Sequence, residues 1–239
     1  MGIGRKLTAK LAAQGINTVA DLVATDIKTL RQRYGVVVER TVLELQGIPC
    51  SELEQLAQAK QQIICSRSFG ERITAIGPMR EALAGYMERA AEKLRAEGQR
   101  CQHVTIFIRS SPFSERETYY GNQIATRLPF PTADTRKLLA QVEPLLRRIW
   151  RDDVRYMKGG VMLADFTPTA MQQGDLFADE QQAPRSEALM QVIDKINQGQ
   201  LGKVYFAARG RNIKEWTMKR EQLSPRYTTC IKEIPVAKA

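Results

Sequence analysis

The chain has 239 residues, 43% of them hydrophobic, and 36 Lys and Arg against 26 Asp and Glu give a formal charge of +10. That length fits one large or two small domains, the apolar share can fill real cores, and the basic excess favours a polyanionic partner such as nucleic acid. No stretch approaches the ~20 apolar residues of a membrane span, and the N-terminus lacks a signal-peptide core, so no membrane association is expected.

The excess charge is uneven: residues 1–60 carry net +2, residues 61–168 net +5 and residues 169–239 net +3. The middle third is therefore the best candidate for a backbone-contacting surface. The four cysteines are Cys50, Cys65, Cys101 and Cys230, none in a CxxC pair, and the single histidine is His103. A zinc site is not expected from this set, nor is a disulfide framework, and a reducing cytoplasm fits.

Residues 1–48 read as a small all-helical unit. A helix over Arg5–Gln14 stops at Gly15, Thr18–Ala24 and Asp26–Tyr34 follow with Thr25 or Asp26 as caps, and Gly35 is a stop. Val36–Leu45 is apolar on one face and ends at Gly47-Ile48-Pro49. Residues 61–168 change character. A strand over Gln61–Ser68 precedes a helix opened by Pro78, with Met79, Leu83, Tyr86, Ala90 and Leu94 at helical spacing. Gly98 ends it.

Cys101–Arg109 alternates as a strand, with Val104, Ile106 and Ile108 on one face and Thr105, Phe107 and Arg109 on the other. A polar loop leads to a second alternating strand over Gln123–Phe130. Thr132–Arg151 reads as one amphipathic helix with Leu138, Val142, Leu145, Leu146 and Ile149 inward, and Gly159–Phe166 as a last strand. The order is β-α-β-β-α-β, a split βαβ pattern whose four-stranded sheet buries one face under two helices and leaves the other open. Residues 168–186 read as a linker. Residues 187–239 read as a small α/β module, with a helix over Glu187–Asn197 and a strand over Lys203–Ala208. The fold class is α+β.

Three short segments carry recognition chemistry. Gly2-Ile3-Gly4 ahead of a helix can point backbone amides at a phosphate, with Arg5, Lys6 and Lys10 adding charge, although the same residues also suit an ordinary helix start. The downstream Gly15-Ile16-Asn17-Thr18-Val19 strengthens the phosphate reading. Ser66-Arg67-Ser68-Phe69-Gly70 combines hydroxyls, a guanidinium and amides and suits a phosphate track, or simply a polar strand exit. Gln173-Gly174-Asp175-Leu176-Phe177 sets two large apolar side chains in a polar linker, which calls for a partner pocket or docking on the chain's own domain.

Catalysis finds no footing. Asp152-Asp153 and Asp179-Glu180 are adjacent pairs unsuited to converging on two metals. His103 sits in a strand pattern and reads as structural. No Gly-rich loop has Walker spacing.

These segments bring a family into view. The chain resembles the C-terminal half of UmuC-type Y-family DNA polymerases, the catalytic subunits of DNA polymerase V and its plasmid-borne relatives. The likeness rests on Gly2-Ile3-Gly4 through Asp21-Leu22, on Ile64-Cys65-Ser66-Arg67-Ser68-Phe69-Gly70-Glu71-Arg72, and on Met218-Lys219-Arg220 with Leu223-Ser224-Pro225-Arg226-Tyr227-Thr228-Thr229. Gly159-Gly160-Val161-Met162-Leu163 adds to it.

The resemblance implies a helix-hairpin-helix thumb over residues 1–48 and a little-finger DNA-binding domain over 61–168. It implies a sliding-clamp motif in the 168–186 linker and a UmuC-type module over 187–239. It further implies DNA-backbone contact by Gly2, Gly4, Arg5, Lys6, Ser66, Arg67, Ser68 and Gly70, and docking on the sliding clamp (the beta subunit) by Gln173, Leu176 and Phe177. Gly174 stands where the family usually has Leu. The UmuD′ dimer and RecA are implied partners, and SOS repair and mutagenesis the setting.

The palm and the first helix of the helix-hairpin-helix are not in this sequence, so the chain is expected to be inactive as a polymerase alone. No cofactor is expected for it, Mg2+ belonging to the palm. The reading that follows is a non-catalytic DNA-gripping and clamp-binding part of a translesion polymerase. The alternative is an interaction fragment recruiting the clamp, UmuD′ or RecA, with DNA contact incidental.

Overall fold

A computed structural model describes residues 2–51, 59–115, 117–169, 183–199, 202–210 and 223–235. Two units emerge, residues 1–59 and residues 60–239.

Among the described residues, the first unit holds four short helices: α1 (Arg5–Ala12), α2 (Val19–Ala24), α3 (Ile27–Tyr34) and α4 (Val36–Leu45). Each contributes to one small core of Leu11, Leu22, Leu30, Val38 and Val42. Helices this short are marginal by propensity alone, so caps and packing hold them. Thr18 forms a capping box with Asp21: the Asp21 N–H donates to the Thr18 hydroxyl, and the Asp21 carboxylate accepts from the Thr18 N–H at 2.9 Å. Asp26, one of the two caps expected from sequence, closes α3 by accepting from the Thr29 N–H at 2.9 Å. Gly35 lies between α3 and α4 at φ 86°, where a side chain would be strained.

The larger unit runs β1 (Gln62–Ile73), α5 (Ile76–Ala96), β2 (Gln99–Arg109), β3 (Gly121–Thr132), α6 (Thr135–Leu139), α7 (Val142–Ile149), β4 (Tyr156–Pro168) and α8 (Ala183–Gln198). The sheet order is β1-β4-β2-β3, with every neighbouring pair antiparallel. Strand β4 thus separates β1 from β2, and β2 separates β3 from β4. Both helical crossovers are split by one strand, as the βαββαβ order anticipates. One face of the sheet carries Ile63, Cys65, Val104, Ile106, Ile108, Val161 and Leu163, all buried with Met79, Leu83 and Leu94 of α5 and with Leu138, Val142, Leu145, Leu146 and Ile149. The five inward residues of the second helical segment fall where their spacing places them.

Two expectations need correction. The stretch expected as one helix over 132–151 is two, α6 and α7, broken at Ala140–Gln141. Pro144 has no N–H for the Ala140 carbonyl, and its ring crowds that carbonyl, so a continuous helix cannot pass. The strand expected at Lys203–Ala208, and with it the α/β character of the C-terminal module, is absent among the described residues; residues 202–206 are irregular, and a short 3-10 turn follows over Ala207–Arg209. Side chains take the backbone groups that a ladder would use. The Val204 N–H donates to the Asn197 side chain at 2.7 Å, which donates back to the Val204 carbonyl at 2.9 Å. The Phe206 N–H donates to Glu88 of α5 at 2.8 Å.

Helix α8 packs on the sheet domain. Arg95 of α5 donates to both oxygens of Asp194 at 2.6 and 2.7 Å, and its remaining nitrogen donates to the Ala133 carbonyl and the Thr135 hydroxyl. Arg100 pairs with Glu187, Ser186 donates to Asp134, and Met190 is buried. Burial raises the pKa of Glu88, opposed by the Phe206 N–H and by Arg209.

Candidate nucleic-acid interface

The face of the sheet away from the helices is built by strand alternation. Direct partners across an antiparallel ladder share a face. Phe107 lies opposite Gly160 of β4 and Gln123 of β3, and Arg109 lies opposite Lys158 and Gly121. Ser66 lies opposite Gly160 and Ser68 opposite Lys158. His103 pairs with Arg127 and Ala164 on the same face. One row of hydroxyls, a second of cations and a set of small residues therefore meet on the open side.

Gly160 is what lets this surface close up. A Cβ there would lie 2.6 Å from Phe107 Cζ and 2.9 Å from the Cys65 carbonyl oxygen, and against the Ser66 side chain. Phe107 thus lies across the glycine, and the Arg109 guanidinium sits over its ring at 5.1 Å from the centroid. The stacking holds a cation in place on the face. Arg127 lies 3.5 Å from Asp165, whose φ of 58° is unusual for a residue other than Gly. Near β1, the sheet leaves register between Ser68 and Ile73, and this irregular stretch holds Gly70 and the buried Phe69.

The residues singled out in sequence do not form one track. Ser66 and Ser68 face the open side, but Arg67 pairs with Gly159, whose missing side chain would meet Phe69, Met79 and Leu83 of the core. Arg67 is exposed at the helix-covered side, where its charge acts on Tyr86 and Cys65. Burial nonetheless pushes the Tyr86 phenol up to about 12. In the helical unit, Gly4 is the extended, exposed N-cap of α1, with its carbonyl accepting from the Leu7 and Thr8 amides. Arg5 and Lys6 are exposed in the first turn, which holds no acidic residue. Gly2 has a packing reason as well: a Cβ there would press on the Thr41 side chain of α4. Gln173, Leu176 and Phe177 lie outside the described residues.

Phe107, Arg109, Lys158, Arg127 and Gly160 were not singled out as site residues from sequence. The Gly159-Gly160 pair inside a strand pattern was the available signal, since glycine there marks a close approach. Among the described residues, no three His, Cys, Asp or Glu side chains converge as a metal site. Asp152 accepts from the Trp150 indole N–H at 2.9 Å, and Asp153 occupies a turn at φ 62°. All four cysteines are free; burial pushes the Cys65 thiol up and Cys101 to about 12, which keeps both protonated. No helix among the described residues is long and apolar enough to cross a membrane.

Residues 60–176 match the impB/mucB/samB family C-terminal domain, and residues 187–237 match a domain of unknown function, DUF4113. Protein ImpB of Salmonella typhimurium is 50% identical over 237 residues, 99% of this chain and 56% of that protein. Over residues 60–176 the chain carries the C-terminal domain of the impB/mucB/samB family. Protein UmuC of Salmonella typhimurium is 48% identical over 229 residues, covering 54% of its length, and DNA polymerase IV of Caulobacter vibrioides is 28% identical over 196 residues. The chain thus spans a little over half the length of these impB/mucB/samB relatives and corresponds to their C-terminal portion. The four-stranded antiparallel sheet lies within the matched family domain.

Proposed function

We propose that this chain is the DNA-holding part of an error-prone translesion DNA polymerase of the UmuC type and grips primer-template DNA through its backbone without reading sequence. The observation that carries this is the open sheet face, where Ser66, Ser68, Arg109, Lys158 and Arg127 present hydroxyls and cations with no helix among the described residues covering them. Hydroxyls and cations of this kind contact phosphate and sugar, which fixes position and carries no sequence information. Arg5 and Lys6 at the start of α1 supply a second phosphate contact from the helical unit. Replacing Lys158 by Ala should weaken binding to unrelated DNA sequences by a similar factor and lower the salt slope by about 1. A loss confined to one sequence would contradict the proposal.

In the same reading, Gln173, Leu176 and Phe177 dock on the sliding clamp. The support is the pairing of two large apolar residues in a polar linker that follows the sheet domain. Leu176→Ala with Phe177→Ala should abolish capture by immobilised clamp, and unchanged capture would remove this part of the proposal.

A second reading, an interaction fragment that recruits the clamp, UmuD′ or RecA, draws on α8. Its outward side leaves Leu189 and Val192 exposed, with Val204 and Tyr205 exposed beyond it. Leu189→Ser with Val192→Ser should then reduce partner capture while leaving DNA affinity intact.

A further inference from the structure

The chain leaves the sheet and returns to it at the same place. Thr169, just past β4, turns back onto the start of β2: its N–H and its hydroxyl both donate to the Gly98 carbonyl, at 2.9 and 2.8 Å. Two residues further along, Arg100 of β2 pairs with Glu187, early in α8. Ser186 beside it donates to the buried Asp134, which follows the end of β3. Thr132 lies opposite Cys101, and Thr167 lies opposite Arg100, so all these residues gather at one end of the sheet.

Residues 170–182 connect these two fixed points, and α8 holds the far one largely through polar contacts. Arg95 of α5 clasps both Asp194 oxygens at 2.6 and 2.7 Å, in a pair whose side chains are only 14% and 17% exposed. Among the described residues of α8 only Met190 is fully buried, while Leu189 and Val192 stand exposed. A stretch as long as 170–182 spans about 45 Å when fully extended, but with both ends returned to one place its middle reaches no more than about half that distance. A segment fixed at both ends has fewer arrangements to lose on binding, so it binds more tightly than the same segment held at one end.

We propose that α8 is the second anchor of segment 170–182, and that Arg100–Glu187 and Arg95–Asp194 are positioning pairs that set how tightly this segment holds its partner. The inference rests on the clamp-docking reading of Gln173, Leu176 and Phe177 and adds its regulation. With the pairs made, the segment is presented close to the sheet domain from two fixed ends. With them broken, it is held at Thr169 alone. Helix α8 acts on the partner only through the chain whose far end it fixes.

The test measures two quantities on the full chain: affinity for immobilised sliding clamp, and amide exchange along α8. Glu187→Arg with Asp194→Ala should speed exchange along α8 and weaken clamp affinity by roughly three- to tenfold. Glu187→Arg alone sets two guanidinium groups against each other and should move both readouts the same way. Adding Arg100→Glu remakes that pair with its charges exchanged, and should restore slow exchange and clamp affinity together. Leu176→Ala with Phe177→Ala should abolish capture and leave exchange along α8 as in the parent. Faster exchange with undiminished clamp affinity would overturn the anchor and leave clamp docking standing, and so would exchange that the double substitution in α8 does not alter. A parent chain that the clamp fails to capture would overturn the clamp reading, and the anchor with it.

Discussion

Gly160 is a tightly packed position on the open face, and its substitution reports on the whole surface. A Cβ at 160 meets Phe107, the Ser66 side chain and the Cys65 carbonyl together, and the last of these is backbone that cannot swing away. Gly160→Ala should therefore destabilise the chain by about 1–3 kcal/mol, read as a lower urea midpoint at unchanged slope. In the helical unit, Thr18→Ala removes half of a capping box and should cost about 1 kcal/mol.

The caps also set an acid sensitivity. Backbone and hydroxyl hydrogen bonds from Thr18 hold the Asp21 carboxyl below its ordinary value, and those from Thr29 do the same for Asp26. Carboxyls depressed in the folded state contribute stability above the unfolded value, lost as pH falls through the folded one. An Asp21→Asn, Asp26→Asn chain should thus lose less stability than the parent between neutral and acid pH. Sequence named Asp26 as a cap because a cap is a local event between neighbours, but it read Thr18 as the start of a helix and not as its cap. It grouped Ser66, Arg67 and Ser68 as one track, which alternation forbids: Arg67 points to the side where Gly159 meets the core. The aromatic and cationic residues of the open face were missed as a site because three strands bring them together, and no local spacing records that.

At the scale of elements, helical and alternating periods located the four helices of the first unit, α5 and the four strands to within a few residues. Strand β1 extends through Ile73, past its expected end, because Phe69 and Ile73 still reach the core after the register shift. Pro144 was visible in the sequence, and its loss of the bond to Ala140 explains the break that amphipathic spacing alone concealed. The extended look of 203–208 misled because strand propensity is satisfied only by a partner strand, and here Asn197 and Glu88 take the amides instead.

The docking of α8 depends on ion pairs as much as on apolar contact. Asp194→Ala strips Arg95 of a two-bonded carboxylate and should loosen α8 by about 1.5–3 kcal/mol, measured as faster amide exchange along the helix. Exchange unchanged along α8 would show that Met190 and its apolar neighbours suffice.

Across the molecule, the division falls after residue 59 and α8 packs with the sheet domain, while a separate domain match over 187–237 runs along the module that sequence places at 187–239. Net charge is a sum over the whole chain, and the sheet places part of it on one face that no described helix covers. The central claim is that this face and the start of α1 hold DNA by its phosphates. The most direct measurement is the affinity of the full chain for primer-template DNA across a series of salt concentrations. The account predicts a straight, steep fall of log affinity against log salt, shared by unrelated sequences, with a slope of about −0.9 per duplex phosphate neutralised. A flat dependence, or binding confined to one sequence, would contradict it.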